Sequence, residues 1–148
     1  MSEEIDTYKE EAGDGTTAIY SEIAVDHATR PRNVGPMQQH DGCATITGPC
    51  GDTMQIWLRV RKDTIIAAAF MTDGCASSIA SGSMVTEMAK GKTASDALRI
   101  SQENILDALG GLPEDSRHCA LLASDTLKAA LRDYAAFKNE PWKRNYRS

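Results

Sequence analysis

No stretch of this 148-residue chain is long and apolar enough to read as a membrane span, since the longest apolar run covers only residues 65–71. The opening MSEEIDTYKEEAGDG has no apolar core of the kind a secretory signal needs, so a cytoplasmic setting and no membrane partner are expected. Positive charge is also short. A net charge of −5 argues against nucleic acid as a partner. The chain has no internal repeat and no interdomain linker, which excludes solenoids and points to one domain. Its four cysteines, Cys43, Cys50, Cys75 and Cys119, include no C-x-x-C pair. Outside an oxidising compartment, such thiols point to metal or reactive chemistry before disulfides.

What is present suffices for a globular body, with 41% of residues hydrophobic. The charge is uneven. Glu3, Glu4, Asp6, Glu10, Glu11 and Asp14 make an acidic start, while Lys138, Lys143, Arg144 and Arg147 make a basic end. Residues 1–17 are expected to be a disordered tail and 138–148 a second, solvated one, leaving a folded domain over 18–137. Within it, AIYSEIAVDHAT predicts an amphipathic helix over 18–29, with Ile19, Ile23, Ala24 and Val25 as its apolar side and Pro31 as its stop. CATITG is a candidate strand. TMQIWLRVR alternates, placing Met54, Ile56, Leu58 and Val60 on one face and Gln55, Trp57, Arg59 and Arg61 on the other. KDT reads as a turn into a partner strand, IIAAAFMT.

After Gly74 the period changes to that of a helix. CASSIASGSMVTEMA sets Ala76, Ala80, Met84 and Met88 four apart, with Gly91 just beyond. TASDALRI and SQENILDALGG each open on a Thr or Ser capping signal. A last helix over 118–138 carries the stripe Ala120, Ala123, Leu127, Ala130, Leu131 and Tyr134. Strands first and helices later give an α+β class: a three-stranded antiparallel sheet, helices mainly on one face, and a long C-terminal helix.

The chemistry gathers in three places. GPCGDTM puts Cys50 and Asp52 on a Pro/Gly turn between strands. Cys75 stands at a strand-to-helix junction, and Cys119 follows His118 where the last helix begins. Helix N-termini favour thiolate over thiol, so Cys75 and Cys119 are expected to have thiolate character. If the three places converge, they offer three sulfurs, a carboxylate and an imidazole. That is a soft-metal donor set suited to iron–sulfur or zinc. Asp52, a harder oxygen donor, suggests a weakened, exchangeable site. Spacing alone leaves three isolated structural thiols as an equal alternative.

The segments YSEIAVDHATRPRNVG, GPCGDTM, DGCASSIASGSMVTEMAKGK and HCALLASDTLKAALRDY resemble, in order and spacing, the NifU/IscU-type iron–sulfur cluster assembly scaffolds. The resemblance runs over residues 20–134. It implies that Cys50, Cys75 and Cys119 are the cluster cysteines, Asp52 the aspartate that makes the cluster labile, and His118 a neighbouring ligand. It further implies a non-enzymatic scaffold for a [2Fe–2S] cluster built from iron and from sulfur that a cysteine desulfurase delivers, with Cys119 as sulfur acceptor. Apo iron–sulfur proteins are the implied recipients, a ferredoxin or an iron donor further partners, and a homo-oligomer and zinc in the isolated protein are compatible with it. The alternative is a zinc-dependent, SufU-like sulfur acceptor, against which stand His118, where that branch has lysine, and a missing insertion. Longer NifU proteins append cysteine-bearing domains, and the chain is expected to be the scaffold domain alone. LPEDSRHC departs from the L-P-P-V-K segment of chaperone-served scaffolds, so chaperone-driven release is not expected.

A hydrolase with Cys119 or Cys50 as nucleophile is the rival from another class. Side-by-side placement of His118 and Cys119 argues against it. Cys43 is expected to be a small buried hydrophobe, His27 and His40 surface or capping residues, and Met84 and Met88 core packing. Trp57 is left with two readings, under a tail or at a subunit contact.

Overall fold

The computed structural model describes residues 7–11 and 17–139. The C-terminal basic segment beyond them, and the first acidic residues, lie outside this description. In chain order the elements are β1 (Thr7–Glu11), β2 (Thr17–Ser21), α1 (Glu22–Thr29), β3 (Gly42–Thr47), β4 (Thr53–Arg61), β5 (Thr64–Thr72), α2 (Ala76–Ala89), α3 (Ala94–Ala97), α4 (Gln102–Leu109) and α5 (Arg117–Asn139), with a 3₁₀ turn at Glu114–Ser116 before α5.

β3, β4 and β5 form the expected antiparallel sheet in that order. The β4–β5 connection is a two-residue turn in which Lys62 and Asp63 both take positive φ, 53° and 63°, matching the hairpin twist. Pairing sets Ile46, Met54 and Thr72 side by side, then Ala44, Ile56 and Phe70, then Gly42, Leu58 and Ala68. This is the inner face, on which Met54, Ile56, Leu58 and Phe70 are almost wholly buried. α2 packs across it against β5, and α5 against β3 and β4. The α5 stripe is as expected: Ala120, Ala123, Leu127, Ala130 and Leu131 are buried.

Five expectations change. The helix placed at 18–29 begins only at Glu22, because residues 17–21 are extended and pair with β1, including Tyr20 with Tyr8. β1 also lies in the stretch read as a disordered tail. Ser21 then ends the strand by capping the helix, accepting from the Ala24 amide at 3.0 Å. That start sets the phase of α1: Ala24 and His27 turn inward and Ile23 outward, 46% exposed. His27 is therefore not a surface residue. It is buried, with Nδ1 2.7 Å from Ser83 Oγ.

α2 is not one-sided either. Ser77, Ser78, Ser81, Ser83 and Thr86 are buried beside Ala80 and Val85, while Met84 and Met88 pack at the core's margin. Small hydroxylated side chains let the helix run deep between the sheet, α1 and α5. The cost of burying hydroxyls is largely offset by bonds such as Tyr20 Oη to Ser77 Oγ at 3.0 Å, the exception being Ser81 Oγ, which is buried without a partner among the described residues. Cys43, finally, faces the outer side of the sheet and is half-buried. Gln55 Nε2 donates to its sulfur at 3.4 Å. Trp57, on the same outer face, is buried, and the two line a groove of about 750 Å³ with His40, Arg59 and Phe137.

Candidate metal centre

The β3–β4 hairpin carries the first two donors. Its loop closes on itself through Gly48 N–H to Asp52 O at 2.8 Å and Gly51 N–H to Gly48 O at 3.0 Å. Gly51 has φ +96°, a conformation that a side chain strains, so the turn that sets Cys50 and Asp52 on one centre needs glycine there. The neighbouring strand end fixes the loop, since Asp73 Oδ1 accepts from Thr53 N–H at 2.8 Å.

Cys75 is the residue before the first turn of α2, and His118 and Cys119 lie in the first turn of α5. All five expected donors come together. Cys50, Asp52 and His118 form one group of ligand atoms and Asp52, Cys75 and Cys119 another, with the atoms of each within 4.8 Å of one another. Asp52 belongs to both. His118 Nε2 lies 3.1 Å from Cys50 Sγ and 3.7 Å from Cys119 Sγ. Adjacent positions on a helix thus do not keep the histidine and Cys119 apart as expected, since the ring nitrogen stands close to both sulfurs. Cys43, His27 and His40 take no part in either group.

The three sulfurs differ in setting. Cys50 and Cys75 are exposed and Cys119 is 1% exposed. The Cys75 thiol is lowered to about 5, first by a hydrogen bond with Cys119, then by the N–H groups of Ser78 and Ser77 at the start of α2, against an opposing cost of burial. Cys119 moves the other way: the bond with Cys75 and burial push its thiol up. Loss of a proton is thus favoured at Cys75 and disfavoured at Cys119. The expectation that both sulfurs are thiolate-favoured holds for Cys75 alone. The bond with Cys75 and burial outweigh the helix start at Cys119.

One residue at the site escaped the sequence reading. Ser78 Oγ lies 3.1 Å from Asp52 Oδ2 and 3.4 Å from Cys119 Sγ. The signal was available: three residues after Cys75, it shares that residue's helix face.

Three sulfurs and one imidazole, half open to solvent, fit an iron–sulfur or zinc cargo, with the Asp52 carboxylate as the one hard donor among them. Fold and donor set together define a sheet-and-helix domain whose three loops converge on a soft-metal centre. The NifU-like N terminal domain family matches residues 19–141. The chain is 47% identical over 117 residues to iron-sulfur cluster assembly scaffold protein IscU 1 of Archaeoglobus fulgidus, covering 78% of this chain and 76% of that one. It is 43% identical over 122 residues to the scaffold protein IscU of Haemophilus influenzae, covering 79% and 96%. The fold matches a NifU-like N-terminal protein of Brucella abortus at a TM-score of 0.63, with 23% identity over 78% of this chain and 94% of that one. This chain belongs to the NifU-like N terminal domain family.

Proposed function

We propose that the chain is a scaffold on which a labile [2Fe–2S] cluster is assembled and then passed to apo-proteins. The observation that carries this reading is the pair of donor groups sharing Asp52. Two ligand sets with one bridging carboxylate suit two iron ions held close together, where a single structural zinc would need one closed set of four donors. Cys50, Asp52, Cys75, His118 and Cys119 are the ligands in this reading. Zinc competes for the same sulfur and imidazole donors in the isolated protein.

Sulfur comes from a cysteine desulfurase. A scaffold thiolate attacks the outer sulfur of the desulfurase persulfide, a new S–S bond forms, and the desulfurase leaves as a thiolate. Each transferred sulfur then takes two electrons, supplied by a ferredoxin-class donor, to become sulfide. Cys119 as acceptor needs the start of α5 to yield, because its sulfur is buried. The exposure and lowered thiol of Cys75 favour a second reading in which that residue accepts first. The chain turns over no small substrate of its own and works in the cytoplasm. Among the described residues no helix is long and apolar enough to cross a membrane.

Anaerobic reconstitution with iron, cysteine and a desulfurase, followed by visible absorption and metal counting, tests the assignment. Cys50→Ser, Cys75→Ser and Cys119→Ser should each abolish a stable cluster, while Cys43→Ser should retain it. A cluster that survives loss of Cys75 and disappears with Cys43 sinks the ligand set.

A further inference from the structure

Ser78 is completely buried, yet its hydroxyl reaches three of the five donors, Asp52, Cys119 and Cys75. Its Oγ stands 3.1 Å from Asp52 Oδ2 on the β3–β4 loop and 3.4 Å from Cys119 Sγ on α5. A hydroxyl has a single hydrogen to give, and a carboxylate oxygen is the stronger of these acceptors. The backbone is cleared for this arrangement. A Cβ at Gly74 would run into Ser78 Oγ and stand 2.8 Å from Asp52 Oδ2. Asp52 sits on a turn whose own hydrogen bonds fix its backbone but leave the carboxylate to rotate. Among the described residues Ser78 is the side chain whose bond to that carboxylate selects one orientation.

We propose that Ser78 is a positioning residue for the metal centre: its hydroxyl holds the Asp52 carboxylate against the Cys75 and Cys119 sulfurs, so that the oxygen ligand is already placed when iron arrives. The inference rests on the reading of Asp52, Cys75 and Cys119 as iron ligands. Ser78 does not itself ligate. It acts through Asp52, and its effect vanishes where there is no carboxylate to hold.

The test is a double-mutant cycle on Co²⁺ affinity of the full chain, read anaerobically from the sulfur-to-cobalt absorption band. Ser78→Ala should weaken Co²⁺ binding about fivefold, the worth of one net hydrogen bond, with the band's position unchanged because the ligands are the same. Combined with Asp52→Ala, it should add less than its separate effect. Two outcomes overturn the proposal: affinity equal to the unaltered chain, or effects of the two substitutions that simply multiply, as a general loosening of α2 would give. Because Ser78→Ala alters a buried position, a second measurement uses the unaltered chain. The Asp52 carboxyl carbon should show a shift between H₂O and D₂O from the donated hydroxyl, and no shift overturns the tether. Cys75→Ser and Cys119→Ser act as the control. If their cobalt band keeps its full intensity, the ligand reading itself fails and the proposal with it; if it weakens while Ser78→Ala behaves as the unaltered chain, only the proposal fails.

Discussion

Cys75 and Cys119 illustrate how two identical side chains acquire opposite chemistry from a few ångströms of surroundings. Cys75 is exposed, faces amide groups of α2 and receives a hydrogen bond from Cys119, so its thiol falls to about 5. Cys119 keeps the proton because it is buried and stands next to that thiolate. A group whose folded value lies below its unfolded one is charged over the interval between them. Cys75 should therefore react as a thiolate from about pH 5 upward, where an unfolded thiol would still be protonated until about pH 8.5. Iodoacetamide labelling of the folded, metal-free chain, located by mass spectrometry, should show Cys75 modification with a half-rise near pH 5 and Cys119 protected through pH 8. Cys119→Ala should move the Cys75 half-rise upward, because it removes the sulfhydryl that donates to the Cys75 sulfur. Preferential labelling of Cys119 at pH 6 contradicts this division of roles.

At the scale of elements, α2 decides how closely sheet and site approach. Gly82 lies against the Phe70 ring of β5, and a Cβ there would overlap three ring carbons. Gly82→Ala recovers about 1 kcal/mol of helix propensity, but forcing a buried ring aside costs about 1–3 kcal/mol. Here the overlap is with a fully buried side chain, and the clash wins. The expected result is a melting temperature lowered by a few degrees, measured by circular dichroism, and a raised one refutes the packing argument. This helix also marks the limit of what the sequence conveys. The β4 alternation and the α5 stripe are written in period-two and period-3.6 patterns of large apolar residues, and both elements lie where those patterns put them. α2 buries mostly serine and threonine, so its inner face carries little hydropathy signal, and of the apparent four-residue stripe Ala76, Ala80, Met84, Met88 only Ala80 is fully buried. Tyr20 likewise looked like a helix residue because its neighbours are apolar. Its strand depends on pairing with β1, a partner no local pattern announces. The candidate donors stood out because their loops carry Gly, Pro and Cys, and the family resemblance joined them into one set; Ser78 had only its spacing from Cys75 to mark it, and its bond to Asp52 exists only once two distant loops meet.

At the scale of the whole molecule, the donors are gathered where the β3–β4 loop and the starts of α2 and α5 meet, with Cys50 and Cys75 on the surface and Cys119 behind them. Next to them the segment 113–116 is a 3₁₀ turn with Glu114 and Asp115 exposed. A peptide groove adapted to a lysine-bearing segment would meet two like-signed carboxylates there instead. A dedicated Hsp70-type chaperone should accordingly show little ATPase stimulation with this chain, and robust stimulation in a steady-state assay would disprove that. On the proposed reading, release then comes from the site itself, with Asp52 as the donor suited to it. Its carboxylate is shared between both ligand groups and lies on a surface turn that an incoming protein can reach. A hard oxygen bound to iron among sulfurs is the weakest bond in the set, so it is the one a recipient cysteine displaces first. The same oxygen suits Fe²⁺ before sulfur is present, which is why removing it should weaken binding of a single divalent ion and yet preserve a finished cluster. Asp52→Ala should keep its reconstituted cluster longer in air and transfer it several-fold more slowly to an apo-ferredoxin, both followed by visible absorption. Faster loss from the alanine variant than from the unaltered chain would make the carboxylate a holding ligand, and the handover would have to begin at an exposed sulfur, Cys50 or Cys75, instead.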